Sequence, residues 1–313
     1  MLRAGAGRSK IIVVMESPLI EIAAPPNSAS APDLTCIAAL EAGKILYFPT
    51  LGFTPLPAET RLFTPAIRNP KSRNISLDAA GRLKGAGGDA ADQAALAAMM
   101  VRFRQQAQGL LAALCPAYTE ALRVGAASFR PTLVETRTQS LRADDRLLHV
   151  DAFPSRPNRG ERLLRVFTNV NPEGVARVWR MGEPFEQVAQ RFLPRIKRYS
   201  LLRAKGLHAL GVTKSLRSEY DHLMLQLHDA MKSDAHYQQE APQVKFAFPP
   251  GATWVCFSDQ APHAAMSGQY LLEQTMLLPP DRHYDNGASP LAILSRLTGR
   301  SLVPGQRLPD QYV

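Results

Sequence analysis

His149-Val-Asp151 sets an imidazole and a carboxylate two residues apart. In an extended segment, positions i and i+2 point to one face, so both side chains can reach one metal ion. His263 closes a second strand group, residues 253–263, and is the expected third ligand. Two histidines and one carboxylate fill one face of an octahedron and leave three positions for a bidentate cosubstrate and oxygen, the arrangement of non-haem iron(II) oxygenases. HxD alone is a weak signal, and the chain carries its own control in His283-Tyr-Asp285. That second match follows Pro279-Pro280, adjoins Asn286-Gly287 and has no later histidine, so it reads as a loop. The expected ligands, and the centre of any catalysis, are His149, Asp151 and His263.

A 2-oxo acid cosubstrate such as 2-oxoglutarate binds iron through its keto-acid end and needs a cation for its distal carboxylate. Arginine offers a bidentate fork for that purpose. Arg165 lies fourteen residues after Asp151, in a Leu-Leu-Arg-Val-Phe run that places it on one strand face with Phe167 and Asn169. An arginine there is either on a solvated face or buried with an anion; beside the triad, the buried reading is the expectation. Arg165 is the expected anchor, with Asn169 beside it and Arg137 as the next cation. His222 and His228, flanked by Asp221 and Asp229, could line a substrate site but read first as surface or capping histidines, and Cys256 reads as core. GxSxG, Walker A and HExxH motifs are absent, which removes the hydrolase, P-loop and zincin readings.

The elements that must position these residues follow from the chain's texture. Residues 1–80 are dense in proline (Pro49, Pro55, Pro57, Pro65, Pro70), which permits strands and irregular cover but no long helix. The first ten residues read as a tail. Asp89 is a good N-cap for a helix over 89–123, interrupted at Cys115-Pro116. Strands are expected at 132–142, 147–151, 163–170 and 175–181, where β-branched and apolar residues alternate with turn formers. Residues 184–235 turn helical, strands return at 244–248, 253–257 and 270–278, and Ser289-Pro290 starts a last helix. This order suggests a mainly β fold with helical additions, a double-sheet jelly roll. The expected organisation is one oxygenase domain over 1–313. It comprises an N-terminal extension and helix cover (1–130), a core (131–280) with a helical insertion near 184–239, and a tail (281–313).

Composition bounds the rest. At 313 residues, 45% hydrophobic and 20% charged, the chain has ample core. Three cysteines, none in a CxxC pair, argue for a reducing compartment. The longest early apolar run, residues 11–15, is too short for a secretory segment, and no stretch approaches a membrane span. A cytoplasmic protein is expected, soluble or peripheral on a membrane. The net charge of +10 implies an acidic partner: nucleic acid, anionic lipid or an anionic small substrate. The excess is local, with ten Lys/Arg between Arg177 and Arg217 against only Glu183 and Glu186. That run is either a membrane-facing surface or a solvated helical face.

The run His149-Val-Asp-Ala-Phe-Pro-Ser-Arg-Pro157, followed by Leu164-Arg-Val-Phe-Thr-Asn-Val-Asn-Pro172, resembles the Kdo hydroxylases. Trp179 with Gly182-Glu-Pro-Phe185, Ser218-Glu-Tyr-Asp-His-Leu-Met224, Leu227-His-Asp-Ala-Met231, Ser258-Asp-Gln-Ala-Pro-His263, Ser267-Gly-Gln269 and Leu272-Glu-Gln-Thr275 are similar too. The resemblance covers roughly residues 45–280. It implies a cupin-like jelly roll using iron(II), 2-oxoglutarate and oxygen to convert 3-deoxy-D-manno-oct-2-ulosonic acid (Kdo) to its 3-hydroxylated form, Ko, in the inner core of Gram-negative lipopolysaccharide. Kdo-lipid A or a precursor becomes the expected substrate, with contact to the anionic inner membrane, and nucleic acid recedes. Lys71, Arg73, Arg137, Arg142 and Arg156 become candidates for the sugar carboxylate. One departure stands out: many oxygenases of the wider superfamily carry a basic residue ten positions after the distal histidine, where this chain has Glu273. The alternatives left open are an oxygenase of a protein or small acid, and a basic jelly roll that only binds.

Overall fold

A computed structural model describes residues 16–23 and 33–305. In chain order they form β1 (Leu19–Glu21), α1 (Leu34–Glu41), β2 (Ile45–Phe48), β3 (Ile75–Leu77), β4 (Leu83–Lys84), α2 (Ala90–Leu114), β5 (Arg123–Arg130), β6 (Arg162–Asn169) and β7 (Arg177–Gly182). There follow α3 (Phe185–Phe192), α4 (Leu201–Ala209), α5 (Glu219–Ser233), α6 (Ala235–Glu240), β8 (Gln243–Phe248), β9 (Thr253–Phe257), β10 (His263–Ser267), β11 (Leu271–Leu278) and α7 (Pro290–Thr298). The expected tail over 1–10 and the apolar run at 11–15 lie outside the described residues.

Eight strands make one sheet in the order β1-β2-β9-β6-β11-β5-β3-β4, and three make a second, β10-β7-β8. All pairings are antiparallel except β1 with β2. This is the expected jelly roll, with two sheets enclosing a core. Phe167, Trp254, Cys256 and Leu271 of the large sheet meet Trp179, Met181, Phe248 and Ala265 of the small one. The opposite face of the large sheet, with Leu164, Val166, Val255 and Leu272, packs under α2 through Met99, Met100 and Phe103. β6 is therefore buried along its whole length. Strand alternation sends Leu164 and Val166 to the helix, and Arg165 and Phe167 between the sheets. A third cluster joins Leu148, Val150 and Ala264 to α3, α5 and α7.

The helix boundaries follow the local chemistry. Asp89 accepts from the Asp92 amide, and α2 stops at Leu114, before the Cys115-Pro116 break. Ser289 accepts from the Ala292 amide with Pro290 at the first helical position, and Gly299, at φ 68°, ends α7.

Two strand expectations and one helix expectation need correction. Residues 132–142 are a loop, not a strand: Val134 bonds to the Gly268 carbonyl and Arg137 turns back onto Val134, so no neighbouring strand pairs with it. β-branched composition measures fit to a pleated surface, and none is offered there. The helix expected over 89–123 ends at Leu114, with only a 3-10 turn at Pro116–Tyr118 beyond it, and β5, a Gly-Ala-Ala-Ser strand that composition disguised, follows unexpected from Arg123. Gly125 is required because a Cβ there would sit 2.8 Å from the Thr275 carbonyl of β11. The strand expected at 147–151 shrinks to one antiparallel bridge, His149 to His263.

Candidate metal centre

That bridge builds the site. His149 and His263 exchange amide-to-carbonyl hydrogen bonds of 3.0 and 2.9 Å, and the Asp151 amide donates to the Ser258 carbonyl at 2.9 Å. The segment stays extended, so Leu148 and Val150 enter the helical core while His149 and Asp151 face the other way. His149, Asp151 and His263 come together with their ligand atoms within 4.8 Å of one another. His149 Nε2 lies 3.7 Å from Asp151 Oδ1.

Each imidazole is oriented from behind. His149 Nδ1 lies 2.7 Å from the Leu147 carbonyl and His263 Nδ1 lies 2.8 Å from the Ala261 carbonyl. A carbonyl can only accept, so Nδ1 carries a proton in each ring, which leaves Nε2 as the nitrogen available to a metal. Burial, then the neighbouring His149, pushes His263 down to about 4, so it is neutral at physiological pH. Burial alone would raise Asp151, but Arg165 above all, with both histidines, holds its carboxyl well below the usual range. Two imidazoles and one ionised carboxylate are the donor set that divalent iron takes.

The rings are also packed in place. Trp179 stacks on His263 with centroids 4.9 Å apart, and His228 of α5 meets His149 edge-on at 5.4 Å. The Ser258–His263 turn is held by Asp259, which takes the Arg162 guanidinium at 2.7 Å and the Leu163 amide at 3.2 Å. Gln260 accepts from the same guanidinium. On the other side, Asp221 of α5 accepts from the Asn158 and Arg159 amides and pins the loop that follows Asp151.

A cavity opens beside the three ligands, lined further by Arg130, Asp145, Arg165, Phe167, Arg177, Trp179, Ala265 and Leu271. Its arginines are not equivalent. Arg165 Nη1 is 2.9 Å from Glu273 and 3.3 Å from Asp151, so two carboxylates neutralise it. Arg130 contacts Glu273 and reaches Asp145 at 3.6 Å. Arg177 is buried and bonds only the Gly268 carbonyl, with no carboxylate in ion-pair range among the described residues. Burial, then Arg130 and Arg137, push its guanidinium down to about 9. A buried charge without a counterion is costly, and the cavity beside it is suited to an anion.

Arg165 does reach the cavity as expected, but its charge is spent on Asp151 and Glu273; the lone Glu273 that departs from the wider pattern is what occupies it. Asn169 is a correction. Its amide donates to the Val175 and Phe248 carbonyls and its oxygen accepts from the Asn171 amide, so it braces a turn and does not line the cavity. Arg137 sits behind the wall, bonded to Thr132 and 3.9 Å from Asp145. Arg73 bonds Asp145 at 2.6 Å and Arg142 bonds Asp229 at 3.0 Å, which puts both at the rim. Lys71 and Arg156 are exposed. His222 bonds the Lys197 carbonyl and faces away, whereas His228, for which the surface or capping reading was preferred over a place at the site, packs against His149. Arg177 and Asp145 were missed. The signal for Arg177 was its strand position two residues before Trp179, hidden inside a run of surface cations.

The second HxD is separate from this cluster. His283 faces Arg162 and the Pro280 carbonyl, and Asp285 caps the turn at 286–288. His283→Ala is expected to cost about 1 kcal/mol of stability through the lost hydrogen bonds and to leave cobalt(II) binding intact by visible absorption. Loss of the metal spectrum would restore His283 as a ligand.

Comparison with known proteins places the chain among close relatives. A family model for 3-deoxy-D-manno-oct-2-ulosonic acid (Kdo) hydroxylase matches residues 25–301. The Kdo hydroxylase KdoO, a non-haem Fe(II) α-ketoglutarate-dependent dioxygenase, in complex with cobalt(II), superposes with a TM-score of 0.88 at 38% identity, covering 94% of this chain and 100% of that one. The same figures hold for KdoO in complex with α-ketoglutarate and Fe(III). No curated protein matches the chain in sequence.

Proposed function

Since the chain belongs to the Kdo hydroxylase family, we propose that it is an iron(II)- and 2-oxoglutarate-dependent dioxygenase that hydroxylates Kdo at C3, giving Ko, on a Kdo-bearing lipid A or precursor. The observation that carries this reading is the meeting of two imidazoles and an ionised carboxylate at the end of a cavity whose wall holds an arginine with no carboxylate in ion-pair range among the described residues. The enzyme acts as a single oxygenase domain at the cytoplasmic face of the inner membrane. No helix among the described residues is long and apolar enough to cross a membrane.

Iron(II) held by His149, Asp151 and His263 would supply oxygen activation coupled to oxidative decarboxylation of 2-oxoglutarate. The chain's own groups bind and orient. The Leu147 and Ala261 carbonyls hold the Nδ1 side of His149 and His263 and so aim Nε2 at the metal position, and Arg165 keeps Asp151 ionised. Arg177 takes the distal carboxylate of 2-oxoglutarate, with Arg130 beside it. Phe167, Trp179 and Leu271 keep the cavity wall dry. Arg73 and Arg142 stand at the rim, where Asp145 and Asp229 already hold them, and His228 packs edge-on against His149 and fixes that ring.

The test is direct. Iron-loaded protein, 2-oxoglutarate and Kdo-bearing lipid A under labelled oxygen are expected to yield succinate and a sugar carrying one labelled oxygen at C3, read by mass spectrometry. Turnover of 2-oxoglutarate with unmodified sugar, across Kdo-bearing lipids, would sink the substrate assignment and leave the metal chemistry standing.

A further inference from the structure

The basic run between Arg177 and Arg217 divides once its contacts are known. Arg177 is buried, Arg180 donates to the Gln238 and Arg146 carbonyls, Arg191 pairs with Glu183, Arg195 with Asp234, and Arg217 bonds the Pro154 carbonyl. Lys197, Arg198, Arg203, Lys205 and Lys214 remain exposed, with no ion-pair partner among the described residues. No Asp or Glu lies between Glu186 and Glu219 to oppose them.

The same stretch exposes apolar side chains that a solvated face has no use for. Leu202 is 83% exposed, Leu210 79%, Val212 53% and Leu201 49%. They gather within twelve residues, whereas single exposed leucines scattered over a surface need no explanation. Only Ala204 of α4 is buried. At helical spacing Leu202, Gly206, Ala209 and Leu210 share the outward arc, with Arg203 and Lys205 on its flanks. Leucines flanked by unpaired cations are what an interfacial helix carries: the leucines enter the acyl boundary while the cations meet anionic headgroups. Nucleic acid would use the cations and leave the leucines unexplained.

The surface also adjoins the mouth of the site. The Lys214 amide donates to the Ser155 carbonyl at 2.9 Å and Arg217 reaches the Pro154 carbonyl at 2.6 Å, both on the loop leaving Asp151. On that loop Phe153 is half-exposed and lies 5.9 Å from the Arg165 guanidinium.

We propose that α4 and the segment to Lys214 form a docking surface for an anionic lipid bilayer, which brings the mouth of the metal site to the membrane. This rests on the reading that the sugar arrives on lipid, and it names the surface that reading needs. Arg191 and Arg195 take no part, since acidic partners already hold them.

The experiment uses the iron-loaded full chain and vesicles of phosphatidylcholine, alone or mixed equally with phosphatidylglycerol. Co-sedimentation is expected with the mixed vesicles only, falling with added salt because exposed charges are screened over about 8 Å at physiological ionic strength. The triple variant Arg198→Glu, Arg203→Glu, Lys205→Glu is expected to lose binding roughly tenfold or more. The pair Leu202→Asn, Leu210→Asn, which leaves the charge unchanged, is expected to lose it several-fold, while Arg195→Glu changes little. Succinate formation without sugar should be unaltered in every variant, which shows the site intact. Absent vesicle binding, or binding indifferent to the leucine pair and the triple variant, overturns the proposal. So does binding of a short DNA duplex that needs the cations but not the leucines, without vesicle binding. Hydroxylation of a lipid-free Kdo oligosaccharide alongside absent vesicle binding would overturn the docking surface alone. Intact docking with unmodified Kdo would instead overturn the substrate assignment.

Discussion

Replacing His149, Asp151 or His263 with alanine is expected to abolish iron-dependent succinate formation and to lower cobalt(II) affinity at least a hundredfold. Removing a partner that only orients a ligand already costs about 10–100-fold in metal affinity, so removing the ligand itself costs more. The three variants separate binding from folding. His149 and His263 are joined through their backbones, so truncating either ring keeps the bridge that builds the site. Asp151→Ala frees one side of Arg165, but Glu273 at 2.9 Å keeps that guanidinium paired, so the fold should survive there too. The readouts are the visible absorption of cobalt(II), succinate formation and near-ultraviolet circular dichroism. Full cobalt affinity in any one variant would remove that residue from the ligand set. Loss of the dichroism signal in all three would mean that the triad holds the fold and not the metal.

How much of this was legible beforehand depended on whether the signal was local. The i, i+2 spacing of His149 and Asp151 survives any register, so the pair was readable even though the strand expected around it is a single bridge. His263 was readable because a strand group ends at it. β6 was readable because both its faces are covered and its central run, residues 163–167, is apolar apart from Arg165. β5 was not, because its small residues serve close contact with β11 and lower its β propensity. Counterion arithmetic was hidden for the same reason. Arg165 looked like the unpaired cation because its carboxylate partners reach it from elsewhere in the chain, Asp151 from the loop after the His149 bridge and Glu273 from β11, 108 residues downstream. Arg177 was counted with the basic run that extends to Arg217, although β7 turns it inward. His228 was weighed as a helix-surface histidine, and only the packing of α5 against the small-sheet side brings it to His149.

The largest consequence of that difference concerns the cosubstrate. Arg177→Gln is expected to raise the half-saturating 2-oxoglutarate concentration at least a hundredfold, with cobalt(II) affinity unchanged. Truncating one partner of a buried charge pair costs about 3–5 kcal/mol, and each 1.4 kcal/mol is tenfold in affinity. The same substitution should raise the thermal stability of the cosubstrate-free protein, which a merely structural arginine would not do. The sign follows from the lowered affinity of this buried guanidinium for its proton, caused by burial and then by Arg130 and Arg137. At neutral pH the group is charged folded and unfolded, so folding bears the full penalty, and a neutral side chain relieves it. Adding 2-oxoglutarate should stabilise the wild type and leave Arg177→Gln nearly unmoved. Arg165→Gln should behave in the opposite way. It leaves Glu273 facing Arg130 alone and Asp151 without its main counterion, so metal affinity and stability fall while the 2-oxoglutarate requirement, once metal is saturating, shifts little. A hundredfold rise in that requirement in Arg165→Gln, with none in Arg177→Gln, would return the anchor to Arg165. It would make Arg177 a strut of the Gly268 turn.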